Sequence, residues 1–448
     1  MKRLFTLILL VALLVQGRAV AQEAPPIRLI RDAEIENIIR AWATPVFTAS
    51  GLDPAAVQVH LVDDARLNAF VAGGQHIFVT TGLLMRSENA SQVIGVLAHE
   101  TGHIAAGHLA RLGDAVDRAT WQSIAAMVLG AAIVVATGEG EAGAAIIGAG
   151  QGSAVSNFLA YTRTQESAAD QFAVTMLDRT GQSSQGMMEF LQILRNQEFL
   201  IVSRQDPYVR THPITATRVE FVRNHVAGSP YSGVMSPEYF EVMHRMMQAK
   251  LVGFLLPPLQ TLQRYPESDT SPEASYARAV AWHRDARLDR ARPEIDRLVA
   301  LEPENPYFHE LRGQILFESG LAAEALGSYE RSVALAPNEA LLRTSLGQVQ
   351  LELNDPALIR PALANLIQST RLDPEIPYTW RLLATGYGRT GDQGMTALSL
   401  AEEAAILRQG PTAKRNAERA RDLLPRGSPE WQRAQDILQF IEDERNGF

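Results

Sequence analysis

The chain has 448 residues, 46% apolar and 20% charged, with a formal net charge of −9. That length exceeds one ordinary hydrophobic core, so two or three domains are expected, and the apolar content excludes wholesale disorder. The acidic surplus argues against general nucleic-acid binding, which needs a basic face to displace phosphate counterions. With no cysteine anywhere, disulfides and thiol chemistry are excluded.

The N-terminus opens with Lys2 and Arg3, an almost unbroken apolar run from Leu4 to Val15, and the small-x-small triplet Ala19-Val20-Ala21. This reads as a signal peptide over residues 1–21, cleaved before Gln22. The alternative, an uncleaved anchor, is disfavoured because the run falls short of the about 20 residues that span a bilayer. Export and an Ala- and Arg-rich composition point to the periplasm of a Gram-negative bacterium. Residues 68–82 follow as two short strands around the turn Gly73-Gly74. Ser91–Leu112 reads as a helix, begun at Asn89 or Ser91, with Val93, Ile94, Val96, Leu97, Ile104 and Leu109 on its core face. Two apolar arms, 124–137 and 142–155, flank Gly138-Glu139-Gly140-Glu141. They read as a buried helical hairpin, with a lid or a peripheral membrane contact as the other reading.

Residues 246–272 form a junction containing Pro257, Pro258 and Pro266, so the domains are placed at 22–265 and 266–448. Beyond it Pro303, Pro337, Pro374 and Pro411 recur at intervals of 34, 37 and 37 residues. A period near 34 residues is that of tetratricopeptide (TPR) helix pairs. Trp380, Leu383, Ala384 and Tyr387, in the fourth unit, stand at the spacing of that repeat's opening pattern; Gly313, Ala325, Tyr329 and Pro337 fit the second unit, and Ala279, Ala291 and Pro303 the first. Stacked units of this kind build an α-α superhelix with a concave groove, whereas a generic helical bundle leaves the periodic prolines unexplained.

The chemistry is carried by His99-Glu100-Thr101-Gly102-His103. Histidines four apart on a helix project from one side and can share an ion, while Glu100 is placed to reach a water without ligating. A hydrolytic zinc site needs three protein ligands and an open position. Glu166, in Glu166-Ser167-Ala168-Ala169-Asp170, is the candidate third ligand, with Asp170 one turn on as the acceptor from a ligand histidine's other ring N–H. An acidic pair on a solvated helix remains the alternative. His108, five residues past His103, lies about 140° round a continuing helix and reads as an outer or surface group rather than a ligand.

These segments, with Thr211-His212-Pro213 and Arg218 behind them and Asn68-Ala69-Phe70-Val71-Ala72-Gly73-Gly74 ahead, resemble the gluzincin metallopeptidases of the HtpX and BepA type. The resemblance implies a mainly α fold: an HExxH peptidase domain with a small β-sheet, then an α-α superhelical TPR domain. It implies one Zn2+ per chain on His99, His103 and Glu166, Glu100 as general base, and Asp170 as the partner of a ligand. His212 would block the metal at rest or stabilise the oxyanion, Arg218 would support the oxyanion, and the strand of Asn68, Ala69, Phe70 and Val71 would align an extended substrate. The implied function is a periplasmic quality-control endopeptidase acting on unfolded or misassembled outer-membrane proteins, its TPR groove meeting the assembly machinery. The alternative is a chaperone or scaffold whose peptidase is mostly self-inhibited.

Overall fold

The computed structural model describes residues 28–108, 163–195 and 206–446. The expected signal peptide and the apolar stretch 124–155 lie outside them. The protein is mainly α-helical, with one small sheet, and divides into two compact units. One comprises Met1–Ile30 and Trp42–Ser236, the other Arg31–Ala41 and Pro237–Phe448.

In the first unit four strands, β1 (Leu29–Ile30), β2 (Gln58–Val62), β3 (Ala69–Ala72) and β4 (His76–Thr80), pair in the order β1-β2-β4-β3. The expected hairpin is present: β3 and β4 run antiparallel around Gly73 and Gly74, whose φ values of 59° and 93° suit glycine. Beyond the expected hairpin the sheet gains β2, which runs parallel to β4 and whose Gln58-Val59-His60-Leu61 alternates polar and apolar residues. By register Val59, Leu61, Ile77, Val79, Val71 and Ala69 share one face and are buried. Helix α1 (Ala33–Ala49) adds Trp42, Val46 and Phe47 to the core of this unit.

A short helix α2 (Thr81–Arg86), capped by Thr80, leads to α3 (Ala90–Ala105), the helix of the HETGH motif. Asn89 caps α3 by accepting from the Gln92 N–H. The expected helix to Leu112 stops early, at Ala105, because Gly107 takes φ 61° and turns the chain. Helices α4 (Arg163–Arg179) and α5 (Gln185–Arg195) both pack on α3. The contacts are close because they are made at glycines. A Cβ at Gly95 would stand 2.8 Å from Met187, and one at Gly102 would stand 3.0 Å from Ala169 of α4. Two short elements complete the unit, α6 (Pro207–Thr211) and α7 (Ala216–Gly228).

The second unit opens with α8 (Glu238–Leu255) and α9 (Pro258–Arg264), then five helix pairs: α10 (Pro272–Arg284) with α11 (Leu288–Leu301), α12 (Pro306–Glu318) with α13 (Ala322–Leu335), α14 (Ala340–Glu352) with α15 (Pro356–Leu372), α16 (Pro377–Thr390) with α17 (Gln393–Ile406), and α18 (Gly410–Leu423) with α19 (Pro429–Asn446). The division between units thus falls at Ser236/Pro237 rather than at 265/266, because α8 packs on α10 and shares its core through Met246 and Ala249. The proline-rich stretch breaks α8 from α9 without separating α8 from the repeats. Within two of the pairs, glycine on the first helix accepts a large side chain from the second: Gly313 meets the Tyr329 ring and Gly347 meets Leu366, while Gly386 of α16 meets Leu363 of the preceding pair. Trp380 donates its indole N–H to the Pro374 carbonyl, tying the helix start to the recurring proline. Among the described residues no helix is long and apolar enough to cross a membrane.

Candidate active site

The i,i+4 spacing on α3 brings the Nε2 atoms of His99 and His103 to within 3.1 Å of each other. Because Gly102 and Ala169 let α4 approach, the Glu166 carboxylate reaches both rings. Oε2 lies 3.4 Å from His99 Nε2 and Oε1 lies 3.4 Å from His103 Nε2. Asp170, one turn along α4, places Oδ1 2.9 Å from His99 Nδ1. A carboxylate there keeps the proton on Nδ1 and leaves Nε2 as the donor atom.

His212 enters from the end of α6. Its N–H donates to the Tyr208 carbonyl, and the Tyr208 ring, four residues earlier, stacks on the imidazole at 4.4 Å. The segment is fastened where Asp206 accepts from the Leu67 N–H and pairs with Arg86 at 2.9 Å, beside Asn68. His212 Nδ1 thereby lies 3.1 Å from Glu166 Oε1 and 3.4 Å from His99 Nε2. Its Nε2 faces Glu100 Oε1 at 3.6 Å.

Arg218, in the first turn of α7, meets Asp170 through Nε at 2.6 Å and Nη2 at 2.8 Å. Its Nη1 lies 2.6 Å from Glu166 Oε2 and donates to the Pro213 carbonyl. The guanidinium is thus directed at two carboxylates and a backbone oxygen. β3 is one of the two edge strands of the described sheet, and Asn68, Ala69, Phe70 and Val71 are buried. Neither side-chain polar atom of Asn68 has a hydrogen-bond partner among the described residues.

The electrostatics follow from burial. Burial pushes the Glu100 carboxyl up, and neither of its oxygens accepts a hydrogen bond among the described residues. Burial also opposes ionisation of Glu166 and Asp170. For Glu166 the contacts with His212 and Arg218 reverse it and hold the carboxyl well below its usual range. For Asp170 the Arg218 and His99 contacts do the same. Burial would lower His99 too, but Asp170 and Glu166 carry it up to about 9. His103 goes the other way: burial and the neighbouring histidines take it down to about 3.

His99, His103, Glu166 and His212 offer donor atoms all within 4.8 Å of one another, and all four residues are buried. Three imidazoles and a carboxylate converging in a buried position suit a divalent metal ion, which also balances the buried negative charge. Two contacts escaped sequence reasoning. The Gly102–Ala169 approach is signalled only by small residues in both motifs. The contact of His108, whose Nδ1 lies 2.9 Å from His103 Nδ1, has no place on a continuing helix. Gly107 is the sign in the sequence that the helix does not continue.

Residues 30–226 match the model of peptidase family M48. The chain is 28% identical to a beta-barrel assembly-enhancing protease of Yersinia pestis over 356 residues, 78% of this chain and 70% of that protein. It is 25% identical to the protein of the same name from Escherichia coli K12 over 340 residues, 73% and 67% of the two chains. With the metalloprotease YcaL of E. coli K12 it shares 29% over 176 residues, 39% of this chain and 63% of that one. Residues 30–226 therefore form a peptidase family M48 domain, the metalloprotease unit of this chain.

Proposed function

We propose that this chain is a zinc-dependent endopeptidase of the periplasm, which degrades misassembled outer-membrane proteins and assists their assembly. The observation that carries the reading is the convergence of His99, His103 and Glu166 around one point, with the Glu100 carboxylate, unbonded among the described residues, beside it. A two-histidine, one-carboxylate set is a catalytic zinc set, and His99, His103 and Glu166 would hold the ion. The chemistry zinc supplies there is polarisation of the scissile carbonyl and acidification of a water to a pKa near about 7. Glu100, its carboxyl raised by burial, takes the proton of the attacking water and passes it to the amide nitrogen as the C–N bond breaks. Asp170 holds His99 in its ligating tautomer. Arg218 has its N–H groups on Asp170, Glu166 and Pro213, so its role is to hold the two carboxylates; the oxyanion is left to other groups. The edge strand Asn68–Val71 aligns an extended substrate, a mode that suits unfolded chains. The names of the Y. pestis and E. coli relatives support outer-membrane barrel proteins as the substrates. The repeat groove is the proposed contact for the assembly machinery.

Glu100→Gln should keep the metal and the fold while lowering cleavage of a denatured substrate by about 10²–10⁴. Retained turnover refutes the assignment.

A second reading, a scaffold whose peptidase is mostly closed, has one observation in its favour: His212 Nδ1 stands among the donor atoms. We propose His212 as a fourth donor that closes the site at rest. His212→Ala should then raise the cleavage rate; a fall would make it a transition-state group instead. Complementation by Glu100→Gln as complete as by wild type would make scaffolding the main role.

A further inference from the structure

The helix of the HETGH motif ends in a way that builds part of the site. Ala106 is its last cap, Gly107 takes φ 61°, and the chain closes with two backbone bonds: Gly107 N–H to the Ile104 carbonyl at 3.0 Å and His108 N–H to the His103 carbonyl at 3.1 Å. This is the Schellman pattern, in which the residue after the left-handed glycine is laid over the residue third from the helix end. An apolar contact commonly fills that place. Here the two residues are His108 and His103, and their Nδ1 atoms lie 2.9 Å apart.

The proton on that bond has one consistent placement. His103 Nε2 points at His99 Nε2 and Glu166 Oε1, so it is the donor atom for a metal. Nδ1 of His103 then carries the hydrogen, and His108 Nδ1 accepts it. Asp170 stands in the same relation to His99, 2.9 Å from its Nδ1. We propose that His108 is a positioning residue for the metal, fixing the tautomer and ring orientation of His103 as Asp170 does for His99. The choice of acceptor has a physical reason. Glu100, Glu166 and Asp170 already place three carboxylates in the buried site, against the single guanidinium of Arg218. A neutral imidazole on the second histidine orients it without adding a fourth anion to the metal-free interior.

This inference rests on the reading of His99, His103 and Glu166 as metal ligands, and the test separates the two. Zinc affinity of the full chain is measured by chelator competition for wild type, His108→Leu and His108→Asn, with the visible spectrum of the Co2+-loaded forms. Asn suits the comparison because its Oδ1 lies two bonds beyond Cβ, as His Nδ1 does. His108→Leu should weaken zinc binding by about 10–100-fold and alter the Co2+ spectrum, with the metal-free melting temperature unchanged. His108→Asn should restore most of the affinity. Wild-type affinity in His108→Leu overturns the inference alone. So does an equal loss in both variants, or a matching fall in metal-free stability, since either would mark a packing role. Wild-type protein that binds no zinc overturns the ligand reading itself.

Discussion

Arg218 and Lys250 are the same device put to different uses. Each is a buried cation between two acidic side chains, one in each compact unit. Lys250 Nζ lies 2.7 Å from Asp32 and 3.0 Å from Glu34, and the Tyr276 hydroxyl donates to the same Glu34 oxygen. That cluster pins the first turn of α1 to α8 and α10, and its charges are answered within the protein. Arg218 also holds two carboxylates, but those carboxylates face three histidines and a third acidic group, Glu100, whose oxygens accept no hydrogen bond among the described residues. The difference teaches how a structural ion cluster is told from a chemical one. The first satisfies itself, whereas the second leaves donor atoms aimed at a shared point.

The comparison can be broken by removing each cation. Lys250→Met leaves the buried Glu34 and the half-buried Asp32 without a counter-ion, which should cost about 3–5 kcal/mol. Hydrogen exchange in residues 31–41 and 245–255 should speed accordingly, and zinc should not reverse it. Unchanged protection there would mean that the cluster does not hold the helix start.

Arg218→Met should be destabilising by a somewhat smaller amount, about 2–4 kcal/mol in metal-free protein, because His99, carried up to about 9, retains part of the compensation. Here saturating zinc should recover much of the loss, since the ion supplies positive charge to the same carboxylates. The readout is the melting temperature of α4-containing protein with and without zinc. If both variants respond alike to the metal, the distinction between the two clusters fails.

The smallest effect sharpens the repeat-unit side. Glu310 neighbours the Lys250 cluster, and burial, aided by Asp32 and Glu34, outweighs Lys250 to push its carboxyl up to about 7. A group whose pKa is higher folded than unfolded binds more protons in the folded state. Its stabilising contribution is therefore complete below about pH 4.5, the ordinary carboxylate value, and is lost as pH rises through about 7. Glu310→Gln should leave the melting temperature nearly unchanged at pH 5 and raise it by about 2–4 °C at pH 8. A constant difference across that range would count against the assignment.

Much of the site was legible because it is local. Histidines four apart meet on any helix, a glycine pair between β-branched runs makes a hairpin, and a proline every 34 to 37 residues marks stacked helix pairs. The approach of Asp170 to His99 likewise follows from its being one turn from Glu166. Where local reasoning erred, it extended a pattern past its stop signal: the helix was carried through Gly107, and α8 was assigned by the prolines behind it rather than by what its apolar face covers.

The HETGH motif itself was fixed by the sequence, because helical geometry alone puts two imidazoles and a carboxylate on neighbouring positions. What only the tertiary structure decided is everything that must arrive from a distance. Glu166 comes from 63 residues beyond His103, and Arg218 pairs with a carboxylate 48 residues before it. Lys250 meets an aspartate 218 residues away. No periodicity encodes such meetings. They depend on which small residues let helices approach, as Gly102 and Ala169 do, and on which chain turns back, as it does at Gly107 to bring His108 onto His103.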